Sequence, residues 1–128
     1  MAYLLDTHAL IWWWDDDARL GKAAADLLDE RGGAIFVSAV SGLEIATKVR
    51  LGKLPSMALP ISEYPSNIEQ SGFVHLPIAP THARVGGLLP GEHRDPFDRV
   101  LAAQAIIEGL IVVTRDPCFT AFGCEVLW

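Results

Sequence analysis

The strongest constraint on this 128-residue chain is a rhythm. Five short apolar or β-branched runs, at residues 2–5, 34–37, 73–76, 110–113 and 125–127, alternate with segments of helical character. Continuous apolar runs this short have the form of strands covered on both faces. The segments at 8–14, 22–31, 40–51, 81–88 and 97–108 carry helix-type spacing or composition, and several close on glycine. A weaker helical stretch at 61–70 is interrupted by Pro65. Strict alternation of this kind predicts an α/β fold with a mostly parallel central sheet sandwiched by helices. The length suits one domain spanning residues 1–128. No internal repeat or low-complexity tail is visible, and residues 56–65 read as a mobile connection.

Charge narrows the function. Ten Lys and Arg against sixteen Asp and Glu give a formal −6 at pH 7, which argues against nucleic-acid binding through bulk positive charge. A phosphate partner would need a local device. The apolar share is 51% counting tyrosine and leaving out glycine. Exchanging the one for the other gives about 58%, above the usual ~45–50%, so apolar surface is expected for a protein partner. The longest apolar candidate, residues 100–113, is interrupted by Gln104, Glu108 and Gly109, so no membrane span is expected. The N-terminus has no basic segment and Asp6 cuts its apolar stretch, which speaks against a secretory signal. Cys118 and Cys124 fall in no ligand-like motif and read as free thiols, consistent with a cytoplasmic setting.

In an open parallel sheet the ligand crevice lies beyond the carboxyl ends of the strands. The residues that follow the apolar runs are polar in a patterned way. Tyr3-Leu4-Leu5 delivers Asp6-Thr7-His8, Ile35-Phe36-Val37 delivers Ser38 with Glu44 shortly after, and Ile111-Val112-Val113 delivers Thr114-Arg115-Asp116. A fourth acid, Asp98, heads a helical stripe of Leu101, Ala102, Ala105 and Ile106, which turns its carboxylate inward. Each acid also has a structural explanation. Asp95-Pro96 and Asp116-Pro117 have the form of an N-cap followed by proline, with Asp98 as the N3 partner of Asp95. Asp6 precedes a helix. Ser41 to Glu44 matches a capping box, and Glu44 could instead form an exposed pair with Lys48, contributing only ~0.3–0.5 kcal/mol.

Together, however, four or five carboxylates at one sheet edge repel one another unless protonated, paired or bridged by a cation. A cluster of oxygen donors without a Cys or His ligand motif suits Mg²⁺, or Mn²⁺ as a substitute, better than Zn²⁺. Phosphate chemistry follows, because Mg²⁺ accepts substrate phosphate oxygens and lowers the pKa of water. Lys48, Arg94, Arg99 and Arg115 flank the acids and could hold a phosphate backbone or simply balance charge.

The chain resembles PIN-domain ribonucleases, and within them the VapC-type toxins of bacterial toxin–antitoxin modules. The resemblance rests on Leu4-Leu5-Asp6-Thr7-His8-Ala9-Leu10 and on Ser38 to Glu44-Ile45 with Lys48 and Gly52-Lys53-Leu54. It continues through His93-Arg94-Asp95-Pro96-Phe97-Asp98-Arg99 with Ala103-Gln104-Ala105, and through Val113-Thr114-Arg115-Asp116. It implies a compact α/β/α sandwich whose acids bind Mg²⁺ or Mn²⁺ and hydrolyse single-stranded or loop RNA, leaving a 5′-phosphate and a 3′-hydroxyl. It carries the catalytic and metal-binding roles to Asp6, Glu44, Asp98 and Asp116, with Asp6 and Asp116 holding the principal cation. It carries supporting roles to Thr7, Ser38 and Thr114. Asp95 stands as either a further water-mediated ligand or only the cap. The resemblance also implies a homodimer and a cognate antitoxin.

His8 and His93 are too scattered to suggest an acid/base pair, and His75 and His82 read as ordinary. Trp12-Trp13-Trp14 advances ~100° per residue on a helix, so the three rings cannot share one core face. Either one ring reaches an interface, or two are buried and the third shields the helix edge; stacking on RNA bases is a further use. Two other functions remain open. One is a different Mg²⁺-dependent nuclease or phosphohydrolase, although Asp6-Thr7-His8 lacks an Asp-x-Asp start. The other is a non-catalytic interaction module, which would not need all four acids.

Overall fold

The computed structural model describes residues 1–128. Its centre is a five-stranded sheet in the order β3-β2-β1-β4-β5, with every neighbouring pair parallel. The strands are β1 (Ala2–Leu5), β2 (Ala34–Ser38), β3 (Val74–Leu76), β4 (Ile111–Val113) and β5 (Val126–Leu127). Each lies within a residue of the apolar run that predicts it. Eight α-helices connect them: α1 (Thr7–Trp14), α2 (Lys22–Glu30), α3 (Ala39–Arg50), α4 (Ala58–Ser62), α5 (Tyr64–Gln70), α6 (Pro80–Leu88), α7 (Pro96–Glu108) and α8 (Pro117–Ala121). None is long and apolar enough to cross a membrane.

Alternation of side chains along the strands builds a core on each face. Tyr3 and Leu5 of β1, with Ile111 and Val113 of β4, pack with Leu10, Leu28, Ile45, Ile68 and Phe73 on one side. Leu4 and Val112 point the other way, into Leu101, Ala102, Ala105 and Phe119. Of the stripe expected beneath Asp98, Ile106 alone turns outward, at 45% exposure.

Residues 56–65 are not a loose connection. A 3₁₀ turn over Pro55–Met57 runs into α4, and α5 follows directly. Pro65 sits in the first turn of α5, where a missing N–H is harmless, so it starts a helix rather than interrupting one. The close packing of α6 on α7 depends on Gly86, where a Cβ would stand 3.0 Å from the Arg99 carbonyl oxygen. His82 is buried between the same helices. Its Nδ1 accepts from the Ala79 amide at 2.9 Å and its Nε2 meets Glu108 at 2.9 Å.

The strand order fixes where a site can be. The chain moves outward from β1 through β2 to β3, then crosses back to place β4 on the opposite side of β1. The crevice at such a reversal, beyond the carboxyl ends of β1 and β4, is where open α/β sheets bind ligands. Leu5 is in register with Val113, and Val113 with Leu127. The Asp6 amide extends the ladder by donating to the Val113 carbonyl at 3.1 Å. Asp6 and Thr114 are thus delivered side by side.

Candidate metal centre

Asp6 holds the N-cap position of α1 by its backbone, yet its side chain makes no capping bond. Its Oδ2 instead accepts from Thr114 Oγ1 at 2.9 Å, and the residue is only 4% exposed. Burial pushes its carboxyl up to about 6, with Asp98 and Glu44 adding to the rise while Thr114 and His8 oppose it. The same Thr114 oxygen also accepts from the Asp116 amide at 3.0 Å. One buried hydroxyl therefore sets the spacing between the first and last acids. Asp116 caps α8, its Oδ1 accepting from the Cys118 amide at 2.9 Å.

Glu44 projects from α3 and is 3% exposed. The capping box expected at Ser41 to Glu44 does not form, because α3 begins earlier. Ser38 is the cap, accepting from the Val40 amide at 3.1 Å, and Ser41 instead meets Thr7 Oγ1 at 2.9 Å. Glu44 is left free to point inward. Its Oε2 accepts from Lys48 Nζ at 2.8 Å, whereas Oε1 is buried with no partner. The pair is therefore not the exposed one expected from spacing alone.

Asp98 lies in the first turn of α7. Its expected reciprocal cap with Asp95 is absent: Asp95 Oδ1 accepts from the Phe97 amide at 2.9 Å, while Asp98 Oδ2 meets His93 Nε2 at 2.8 Å. Burial raises the Asp98 carboxyl, as do Asp95, Glu44 and Asp116, against the lowering effect of His93. The mutual effects link Asp6, Glu44, Asp98 and Asp116 as one electrostatic unit.

This unit fits a hard divalent cation. Two buried carboxylates, one with an orphaned oxygen, sit among further acids whose negative charges oppose one another, and all the donors are oxygen. Asp6, Glu44, Asp98 and Asp116 are the residues that would hold it. Thr114 touches two of them, whereas Thr7 joins α1 to α3 through Ser41 and Ser38 caps α3. The last two support the elements that carry the acids rather than contacting the acids themselves.

A cleft of about 810 Å³ opens beside Asp6 and Asp116. Its wall carries Lys48, Lys53, Arg19 and Arg115. Arg115 stands over the Trp12 ring at 4.5 Å and Arg19 over the same ring at 4.8 Å. Lys48 and Arg115 are therefore near the acids, as the sequence suggested. Arg94 is exposed on the loop before α7 and does not line this cleft. Arg99 requires correction as a phosphate contact. Its guanidinium donates to the carbonyls of Gly86 at 2.9 Å, His93 at 2.6 Å and Leu89, so it is committed to the chain's own backbone.

His93 as a partner of Asp98, and Arg19 and Lys53 as lining of the cleft, emerge only in three dimensions. The His93 signal is weak in one dimension, since a five-residue spacing across a loop and a helix start has no fixed geometry. None of the three tryptophans protrudes. Trp12 is buried, while Trp13 and Trp14 are half-buried, with Trp14 edge-on to Tyr64 at 6.3 Å.

Similarity to known proteins agrees with this arrangement. Ribonuclease VapC22 of Mycobacterium tuberculosis is 30% identical over 114 residues, covering 88% of this chain and 85% of that protein. Among solved structures, FitAcB from Neisseria gonorrhoeae superposes with a TM-score of 0.70 at 22% identity, covering 100% of this chain and 97% of the other. A toxin-antitoxin complex from Klebsiella pneumoniae gives a TM-score of 0.66 at 20% identity, covering 98% and 96%. The sequence profile of the PIN domain matches residues 3–123. With that match spanning nearly the whole chain, and the acids gathered at the reversal of its parallel sheet, this protein belongs to the PIN domain family.

Proposed function

We propose that the chain is a metal-dependent endoribonuclease, working as a single domain over residues 1–128 with Mg²⁺, or Mn²⁺ in its place, and that it is the toxin of a toxin–antitoxin pair. The observation that carries the reading is the buried pair Asp6 and Glu44, with one Glu44 oxygen orphaned, facing further acids at the sheet's ligand-binding edge. A bound divalent cation supplies phosphate neutralisation and a more acidic attacking water. The chain's own residues do the rest. Asp6 and Asp116, spaced by Thr114, would hold the principal ion, with Glu44 and Asp98 as the further carboxylates that would share it. Lys48 fixes the Glu44 carboxylate, and Arg115 and Lys53 grip the RNA backbone along the cleft. Asp95 acts as the cap of α7.

The negative net charge is compatible with an RNA partner, because part of it belongs to the ion site and the basic residues of the cleft act locally. A cognate antitoxin is supported by the toxin-antitoxin complexes among the structural neighbours, and a homodimer by exposed apolar residues such as Leu88, Ile106 and Ile107. The expected setting is the cytoplasm. The test is cleavage of defined RNAs with mapping of the ends. Cleavage that requires Mg²⁺, stops with EDTA, leaves 5′-phosphates and disappears in Asp6→Asn supports the reading. Cleavage unaffected by EDTA, or retained in folded Asp6→Asn, overturns it, and preference for DNA or small phosphate esters replaces it with another phosphohydrolase.

A further inference from the structure

His93, Asp98 and Cys118 form a second ligand set beside the acid cluster. One donor atom from each lies within 4.8 Å of the other two. They come from three places: the loop after α6, the first turn of α7 and the first turn of α8. The donors are imidazole nitrogen, carboxylate oxygen and sulfur, a mixture poorly suited to Mg²⁺ and well suited to a thiophilic cation. In a tetrahedral zinc site, bond lengths of ~2.0–2.3 Å put donors ~3.3–3.8 Å apart. The donors, all within 4.8 Å of one another, draw in toward that spacing on binding, while the His93–Asp98 contact of 2.8 Å opens slightly.

The surroundings are built to hold such a triangle. Arg99 clamps the His93 carbonyl, and the His93 ring lies edge-on to Phe122 at 5.8 Å. The Cys118 amide is fixed by the Asp116 side chain. A cavity of about 420 Å³ reaches two of the three, His93 and Cys118, with Glu92, Asp116 and Phe122 also in its wall; Asp98 lies behind His93, in contact with its Nε2 at 2.8 Å. The cavity gives an ion a route in and leaves the fourth position to Asp116 or water. A neutral imidazole, one carboxylate and one thiolate balance a dication; burial and the Asp116, Asp98 and Asp6 carboxylates push the Cys118 thiol well up, so the cation has to displace that proton.

We propose that His93, Asp98 and Cys118 form a Zn²⁺ site whose occupation withdraws Asp98 from the neighbouring acid cluster and inhibits the enzyme. Ligation moves the Cys118 proton to solvent as the sulfur–metal bond forms. The inhibitory consequence rests on the nuclease reading; the site itself does not.

Co²⁺ is the probe, because a cobalt–thiolate bond gives a near-ultraviolet charge-transfer band and four-coordinate cobalt gives intense visible bands. Metal-free protein titrated anaerobically is expected to show both, and one equivalent of Zn²⁺ to remove them while excess Mg²⁺ does not. Cys118→Ser should lose the charge-transfer band and bind Zn²⁺ at least tenfold more weakly, with Cys124→Ser unchanged. Identical cobalt spectra and Zn²⁺ affinity in wild type and Cys118→Ser would overturn the site. In the RNA assay, Zn²⁺ added over Mg²⁺ should reduce cleavage at least tenfold in wild type, whereas Cys118→Ser should keep its Mg²⁺-supported rate under the same addition. A thiolate band with cleavage unaffected by Zn²⁺ overturns the inhibitory role alone. A protein that shows the band but never cleaves RNA overturns the nuclease reading and leaves the site standing.

Discussion

Replacing Asp6 with Asn should stabilise the metal-free protein while removing its response to metal. Asp6 is 4% exposed, and its carboxyl is raised from 3.8 to about 6, first by burial and then by Asp98 and Glu44. The sign follows from linkage. Below pH 3.8 the group is protonated in both folded and unfolded chains and costs nothing. Between 3.8 and about 6 the unfolded chain loses its proton while the folded one keeps it, so stability falls as pH rises. Above about 6 the full penalty is present, about 3 kcal/mol for a displacement of this size. Asn keeps an oxygen to accept from Thr114 but carries no charge, so it escapes most of the penalty. It still leaves a buried amide and gives up the charge-assisted part of the Thr114 bond. The expected gain is about 1–3 kcal/mol at pH 8.

Urea denaturation in EDTA, followed by tryptophan fluorescence from pH 4 to pH 8, measures this directly. The gain of Asp6→Asn over wild type should be largest above pH 6 and shrink as the pH approaches 3.8. Adding Mg²⁺ at about a thousand times its Kd should reverse the order, because an ion that binds only the folded wild type then stabilises it by about 4.1 kcal/mol. An Asp6→Asn protein less stable than wild type at pH 8 in EDTA, or a gain that does not depend on pH, would refute the claim that the site is built from charges held in opposition.

Other substitutions test the supporting parts. Thr114→Val removes both the donor to Asp6 and the acceptor for the Asp116 amide at nearly constant shape, so Mg²⁺ affinity should fall about 10–100-fold by calorimetry. Arg99→Ala should destabilise the fold by about 2–4 kcal/mol in urea unfolding and speed hydrogen exchange in residues 89–95, since the guanidinium serves three backbone carbonyls. Arg115→Gln should leave stability nearly unchanged and weaken binding to single-stranded RNA, with the salt dependence of log K reduced by about 0.7.

The fold was legible because its signals are local. The inner strands β1, β2 and β4 are runs covered on both faces, whereas the edge strands β3 and β5 hold no buried residue and are marked only by their apolar and β-branched composition. Each helix that positions an acid starts at a residue with a recognisable cap or follows a strand directly. The region 56–65 was not legible, because Pro60 and Pro65 have the same appearance in a loop as in the first turns of short helices. Only the buried contacts of Met57 and Ile68 with the core decide between them.

At the site, cap and ligand are the same residue types at the same positions, and spacing cannot separate them. The structure separates them by where each oxygen goes. Asp95 uses its side chain on the Phe97 amide, and Asp116 uses one oxygen on Cys118 while its backbone stays tied to Thr114. Asp6 occupies a cap position without capping, and Glu44 lies beyond its own helix's cap with an oxygen left over. Thr114 and Lys48 compensate these two carboxylates only in part, since burial still holds Asp6 up at about 6 and one Glu44 oxygen stays without a partner. Such placement has a physical reason only if something outside the chain completes it. The same reasoning disposes of Arg99, whose charge looked available in one dimension and is saturated by three carbonyls from the adjoining α6 and loop. Availability of polar atoms, rather than residue type, is therefore what distinguishes the candidate ligands here, and it depends on long-range packing that no single stretch of sequence encodes.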